Sequence, residues 1–545
     1  MERTNGLMEN LYSNPNIIPI PEPLNNYINR LYYEKMRTID LMNTIDRSFT
    51  DFTDEEWNDS YQYFENKLNE AIISFNICMD TVYDMYKDQI GSSKWDVSFE
   101  FSCIALNGYK ITEKKGPVQY SDQLAKIYDD ESRGPMEIGG NFCRNITLQL
   151  TDDCNMRCTY CYQHNKSNHK MSFETAKAFI DLILNSDEKV NSYIDSNKSI
   201  GCILDFIGGE PLLCTDVMSR ICKYFIGEVF KRKHRWAINY MISISSNGLL
   251  YFEPEFQEFI RLHKEHLSYS VTVDGNKTLH DACRIDKYGN PTYDRAMAAV
   301  KDYTAKTGRE IESKVTLSPN NIQYLTEAVE SLIENNYTSV MMNCVYEKGW
   351  EPEHATILYY RLKDLVDWLD ENNHLNDIYI SMFDRYIGHQ LPEHELQNWC
   401  GGTGLMLAMD YKGDMYPCIR YMENSVGNNQ EPYIIGNLKE GINCNPEHCA
   451  RVDCMAKIDR RTQSTDLCFY CPIGSGCSWC SGYNYEVYGT PDKRATFICE
   501  MHKARVMATY YYFRKKGDEE FKLNIPEVWA LPIIGKEEYE RLKVM

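Results

Sequence analysis

Three cysteines stand within eight residues, Cys154, Cys158 and Cys161, in the run Thr-Asp-Asp-Cys-Asn-Met-Arg-Cys-Thr-Tyr-Cys-Tyr. Their Cys-x3-Cys-x2-Cys spacing brings three thiolates to one short loop. A four-iron, four-sulfur cube held by three thiolates keeps one iron without a protein ligand, and that iron is open to something else. The competing reading is a structural zinc site. Zinc takes four ligands, commonly as Cys-x2-Cys pairs with a longer gap between them. The apolar run 145–150 comes just before the thiols, so they sit where a strand ends and a loop begins.

The thiols need a scaffold, and from about residue 145 a strand, loop, helix pattern repeats. Strands are predicted at 145–150, 202–207, 240–245, 268–273, 314–317 and 339–345. Between them lie helices such as 172–184, where Ala176, Phe179, Ile180 and Ile183 fall on one face and Ser172 can cap. Leu325, Ala328, Val329 and Leu332 make a similar stripe. Six such units imply an α/β fold with a parallel sheet, an open (β/α)6 partial barrel whose active face is built from the loops after the strands. The barrel is expected over 141–375. Before it, 1–140 reads as a mostly helical domain with helices near 25–42 and 54–86, a strand at 95–105 and a partner for it at 108–115. After it, 376–510 is rich in cysteine, glycine and proline, as in a metal-stapled region, and 511–545 reads as a tail.

More motifs fall on the strand ends. Phe206-Ile207-Gly208-Gly209-Glu210-Pro211 closes the second strand, and glycines there let backbone approach a charged ligand. Ser245-Ser246-Asn247-Gly248 closes the third strand and Thr272-Val273-Asp274-Gly275 the fourth, followed by His280-Asp281-x-x-Arg284. Taken singly, each of these is an ordinary turn. Taken with the three thiols and the aromatic Tyr160, the set resembles the radical S-adenosylmethionine superfamily. The resemblance implies that Cys154, Cys158 and Cys161 hold a 4Fe-4S cluster whose open iron is chelated by S-adenosyl-L-methionine, and that a 5′-deoxyadenosyl radical is made there. Tyr160, Gly208, Gly209, Glu210, Pro211, Ser246, Thr272 and Asp274 would then line the cofactor.

Of the 21 cysteines, ten lie between Cys400 and Cys499. Their order, Cys400-x12-Gly413-x4-Cys418 and then Cys468-x2-Cys471-x5-Cys477-x2-Cys480 and Cys499, resembles the SPASM extension of radical enzymes that mature peptides. Relatives usually have three residues, not two, before the cysteine matched to Cys480. The resemblance implies two auxiliary clusters, an outer one on Cys468, Cys471, Cys477 and Cys499 and an inner one on Cys400, Cys418 and Cys480. Some relatives place a fourth inner ligand where Met406 stands. Here that ligand is Cys444, Cys449 or Cys454, or a substrate thiol, or the position is open. A zinc ribbon is the alternative for the two Cys-x2-Cys pairs, although only five residues separate them. Cys78, Cys103, Cys143, Cys202, Cys214, Cys222 and Cys283 read as small core residues, and Cys344 is the one placed to face a cavity.

Lys and Arg number 58 against 79 Asp and Glu, a formal charge of −21, which disfavours nucleic acid and anionic membrane surfaces as partners. No stretch reads as a membrane span or secretory signal, so a cytoplasmic protein is expected. His164, Asp152 and Asp153 beside the first thiols, and Asp410 and Asp414 between Cys400 and Cys418, are candidate acids or bases that read equally as caps and turns. The general base is not identifiable.

The resemblance implies a peptide-modifying enzyme acting on a ribosomally made precursor, with a flavodoxin or ferredoxin as electron donor and three 4Fe-4S clusters in all. Thioether formation from a substrate cysteine fits a three-ligand inner cluster. The alternatives are a formylglycine-generating enzyme like anaerobic sulfatase maturases, and a non-catalytic iron-sulfur or zinc protein.

Overall fold

A computed structural model describes residues 17–18, 22–90, 109–110 and 145–545, apart from 164, 191–192, 200, 312, 397–399, 428–429 and 443. The chain divides into two units, 1–140 with 223–239, and 141–222 with 240–545.

In the first unit, the helices Glu22–Thr44 and Asp54–Ile90 pack together, and β1 (Ile17–Ile18) pairs antiparallel with β2 (Tyr109–Lys110). The expected strand at 95–105 lies outside the described residues, so the partner seen for 109–110 is an earlier segment. Phe64 stacks on Phe230 at 5.1 Å between ring centroids, anchoring 223–239 to the long helix.

The second unit contains all six expected strands: β3 (Asn145–Thr151), β4 (Cys202–Gly208), β5 (Tyr240–Ser246), β6 (Leu267–Val271), β7 (Ser313–Leu317) and β8 (Ser339–Cys344). They form two parallel ladders, β3-β4-β5-β6 and β7-β8 with the short β9 (Tyr379–Ile380). In β3 every residue after Asn145 is buried, as a central parallel strand covered on both faces requires. The helix Phe173–Leu184 buries Ala176, Phe179, Ile180 and Ile183 and is capped by Ser172, whose Oγ accepts from the Thr175 N–H at 3.0 Å. The helix Leu325–Glu334 buries the Leu325, Ala328, Val329 and Leu332 stripe.

The cysteine-rich region is not separate from the barrel. β10 (Met406–Met409) adds to the free edge of β3 in parallel, Met406 opposite Asn145 and Met409 opposite Leu148. β11 (Asp414–Tyr416), β12 (Gly436–Asn437) and β13 (Gly441–Ile442) extend that edge antiparallel into one eight-stranded sheet. A strand edge carries unpaired N–H and C=O groups, and β10 satisfies those of β3. The boundary expected at 510 falls inside the helix Cys499–Lys515, which buries eleven side chains. Residues 511–545 are packed rather than a loose tail. The last helix, Glu527–Val544, is tied to the helix Pro352–Glu371 by Tyr359 Oη donating to Glu538 at 2.8 Å and Thr356 Oγ1 donating to the Ile533 carbonyl at 2.8 Å. No helix among the described residues is long and apolar enough to cross a membrane.

Candidate functional site

The loop carrying Cys154, Cys158 and Cys161 begins where β3 ends, and the segment 283–287 runs beside it. Arg157 N–H donates to the Ile285 carbonyl, Thr159 N–H to the Cys283 carbonyl and Lys287 N–H to the Asn155 carbonyl, each at 2.9 Å. Asp153 Oδ1 accepts from the Cys154 N–H at 2.8 Å, a cap rather than a proton shuttle. Cys154 is buried, and burial pushes its thiol up to about 11, with Lys166 acting the other way. Burial also raises Cys158, where the Arg284 cation opposes it and Cys161 adds to it. The Cys154 sulfur accepts from the Met156 N–H at 3.4 Å and lies 4.0 Å from Asn247 Nδ2.

The second motif meets this loop from β4. A Cβ on Gly209 would stand 2.2 Å from the Asp153 carbonyl oxygen, and one on Gly208 would stand 2.6 Å from that of Thr151. Only glycine allows such backbone approach. Glu210 is buried and fully engaged, accepting from Ser246 Oγ at 2.8 Å, Asn247 N–H at 2.9 Å and Leu212 N–H at 3.1 Å. Glu210 and Ser246 therefore bind each other and lock the end of β4 to the end of β5. Thr272 follows β6 and donates its N–H to the Ser246 carbonyl at 3.1 Å.

Sequence reasoning left His280-Asp281-x-x-Arg284 without a role. Arg284 Nη1 donates to Tyr160 Oη at 2.8 Å, and Tyr160 in turn donates to Asp274. Burial drives His280 down to about 3, with the Arg284 charge adding to it, so the ring stays neutral. Its Nδ1 accepts from the Asp274 N–H at 3.3 Å, and its Nε2 donates to Thr292 Oγ1 at 3.1 Å. Asp281 Oδ1 accepts from the Thr292 and Tyr293 N–H groups, both at 2.8 Å. The motif is a brace under the thiol loop. The one available signal was its charge pattern, because its partners Tyr160 and Asp274 are distant in sequence.

The carboxyl-terminal thiols gather in two groups. Near Gly402, a Cβ would meet Cys418 Sγ at 3.3 Å and Cys400 Sγ at 3.5 Å. Cys418 feels the charges of Cys400 and Cys480, and burial holds it well above the ordinary thiol range. The Cys480 sulfur accepts from the Tyr483 N–H at 3.4 Å. The second group is Cys468, Cys471, Cys477 and Cys499: Cys471 feels Cys477 and Cys468, and Cys499 feels Cys477 and Cys471. Cys444 lies 3.0 Å from His448 Nδ1, and Cys454 interacts with Tyr433.

Asp410 is a turn residue, accepting from the Lys412 N–H at 2.9 Å, the Asp414 N–H at 3.0 Å and Tyr416 Oη at 3.0 Å. Asp414 is half-buried, and burial raises its carboxyl. Asp152 accepts from Gln149 Nε2 at 2.6 Å, Ser167 Oγ at 2.9 Å and Asn424 Nδ2 at 3.3 Å, joining the first loop to the cysteine-rich region. Cys344 lines a pocket with Asn343, Ser478 and Arg505. Cys103, Cys143 and His164 lie outside the described residues.

The residues at the strand ends fit an iron-sulfur group. Among the described residues no three His, Cys, Asp or Glu side chains converge on one point as for a single metal ion. The Asp274 Oδ1 and Arg284 Nε atoms are buried without hydrogen-bond partners, both beside the loop of Cys158.

A family model described as a 4Fe-4S single cluster domain matches residues 139–277. The serine-type anaerobic sulfatase-maturating enzyme of Bacteroides thetaiotaomicron is 23% identical over 308 residues, 50% of this chain and 69% of that protein. An uncharacterized protein of Methanocaldococcus jannaschii is 28% identical over 279 residues, 50% of this chain and 84% of that one. The solved structure of anSMEcpe with bound AdoMet and the Kp18Cys peptide is similar at 18% identity, covering 68% of this chain and 99% of that one with a TM-score of 0.49. The iron-sulfur model spans the thiol loop, Gly208-Gly209-Glu210-Pro211 and Asp274 alike, and the similarity to the sulfatase-maturating enzyme extends over half the chain.

Proposed function

We propose that this enzyme modifies a ribosomally made precursor peptide, joining the sulfur of a substrate cysteine to carbon as a thioether. An iron-sulfur cube with S-adenosylmethionine, when bound, would supply a 5′-deoxyadenosyl radical that takes the hydrogen of a substrate C–H bond; as the C–S bond forms, the cysteine thiol would lose its proton and the remaining electron would pass to the inner iron-sulfur site. Cys154, Cys158 and Cys161 would hold that cube. Backbone groups at Gly208 to Pro211, with Thr272, would hold the methionyl and ribose parts of the cofactor. Glu210 and Ser246 would act by keeping β4 and β5 in register rather than by direct contact. Tyr160, Asp274 and Arg284 would hold the loop rigid, because positioning within a fraction of an ångström governs a radical step. Cys468, Cys471, Cys477 and Cys499 would carry an outer auxiliary cluster, and Cys400, Cys418 and Cys480 an inner one. A small ferredoxin or flavodoxin would donate electrons, and the cytoplasm is the fitting compartment.

The observation that carries the thioether reading is the membership of the inner thiol group. Two sulfurs, those of Cys400 and Cys418, lie beside Gly402, Cys480 acts on Cys418, Met406 stands in β10 against Gly401, Cys444 is engaged with His448, and Cys454 with Tyr433. Such a site leaves room for a substrate thiol. The name of the Bacteroides thetaiotaomicron relative favours a second reading, oxidation of a serine or cysteine to formylglycine.

The test is anaerobic purification with iron and sulfide counting, then reaction with dithionite, S-adenosylmethionine and a cysteine-containing precursor peptide. A thioether product loses a thiol that reduction cannot restore. A formylglycine product reacts with a hydrazide. Deoxyadenosine release unchanged by replacing Cys154, Cys158 and Cys161 with Ala would sink both readings.

A further inference from the structure

Arg420 lies two residues after Cys418, in the short turn Ile419–Tyr421, and its surroundings exceed what a surface arginine needs. Its side chain is 13% exposed. The guanidinium carbon sits 4.7 Å from the ring centroid of Tyr162, the residue after Cys161, and 5.8 Å from that of Tyr483. Nη2 donates to Glu347 at 3.1 Å and to Glu486 at 3.4 Å, whereas Nε is buried without a hydrogen-bond partner. A Cβ on Gly482 would stand 2.5 Å from Arg420 Cβ, so the turn carrying Cys480 is pressed onto its stem.

We propose that Arg420 is a positioning residue that sets the reduction potential of the inner iron-sulfur site and clasps that site to the radical loop through Tyr162. The inference rests on the assignment of Cys400, Cys418 and Cys480 made under Proposed function. Reduction adds an electron to a buried, already negative group, and a cation held nearby in low dielectric favours that added charge. Arg420 follows Cys418 by two residues and its stem meets Gly482, two residues after Cys480, so the cation is held beside two of the inner thiols. The planar guanidinium can lie against an aromatic face while its edge meets carboxylates, which an ammonium does less well. Tyr162 is within electrostatic reach of Cys161, Cys418 and Cys480 alike, and the Arg420 guanidinium lies against its ring.

The experiment is a redox titration of the holoenzyme followed by electron paramagnetic resonance, for wild type, Arg420→Gln and Arg420→Lys, with iron counted in each. Cys418→Ala identifies the inner signal by its loss. Arg420→Gln should lower the potential of that signal by tenfold or more in the one-electron equilibrium, about 59 mV. Arg420→Lys should keep it within about threefold, while iron and the other signals stay unchanged. An unmoved potential in Arg420→Gln with iron intact overturns the inference. Loss of the inner iron in both variants also overturns it, because Arg420 would then serve packing alone. If Cys418→Ala removes neither iron nor signal, the inner-site assignment itself fails.

Discussion

Arg284 Nη1 donates a 2.8 Å hydrogen bond to the hydroxyl of Tyr160, the aromatic residue between the second and third thiols of the loop. Tyr160 passes the contact on to Asp274, beyond the end of β6; Asp274 and Arg284 are buried and Tyr160 is partly buried. Burial raises the Asp274 carboxyl, and the Arg284 cation is the main influence holding it down. Arg284→Met removes that cation and strands a buried carboxylate, so it should destabilise the second unit by about 3–5 kcal/mol. Tyr160→Phe removes one hydroxyl and should cost about 1–3 kcal/mol. Anaerobic thermal melts compare the two. Iron bound at the first thiol group should fall far more in Arg284→Met.

Gly401 and Gly402 are adjacent but not equivalent. A Cβ on Gly402 meets the sulfurs of Cys418 and Cys400 at 3.3 and 3.5 Å, whereas one on Gly401 meets only the Met406 side chain, at 3.7 Å or more. Gly402→Ala should push the inner thiols apart at a cost of about 1–3 kcal/mol and lower bound iron by the content of one cluster. Gly401→Ala should leave iron unchanged. Metal analysis of the two proteins decides it.

Met406 starts β10, and its side chain lies against Gly401, the residue after Cys400. If the inner site is open to a substrate sulfur, Met406→Cys gives it a fourth thiol of its own. Peptide modification should then fall at least tenfold, about 1.4 kcal/mol in barrier, while deoxyadenosine is still released. Met406→Leu conserves volume and should behave as wild type. Mass spectrometry of the peptide beside nucleoside analysis separates these outcomes.

Burial lifts the Asp410 carboxyl from its ordinary 3.8 to about 6. The folded chain thus holds that proton more tightly than the unfolded chain. Its contribution to stability is greatest below about pH 3.8 and is lost as pH rises through about 6. Asp410→Asn removes this dependence. The urea midpoint of the variant relative to wild type should therefore improve between about pH 4.5 and about pH 7. A difference that stays flat across that interval would refute the burial argument.

Much of the barrel was legible from local pattern. The six strands lie within about two residues of their expected ends, because alternating apolar strands and capped helices are written in neighbouring positions. Ser172 and its Ala176, Phe179, Ile180 and Ile183 stripe follow the same logic. The role of His280 and Arg284 was not legible, since it depends on Tyr160 and Asp274 reaching them from other strand ends.

By itself, then, the amino-acid sequence determined the chemistry on offer: three thiols in one loop, a glycine pair at the next strand end, and two further cysteine groups. Spacing carries such information because ligands within one short loop cannot drift far apart. The tertiary structure alone decided that β10 closes the free edge of β3, that Ser246 donates to Glu210 across two strand ends, and that Arg420 lies against both Tyr162 and Gly482. Those relations depend on which edge lacks a partner and which buried charge lacks a counter-charge, and neither is settled until distant segments are packed together.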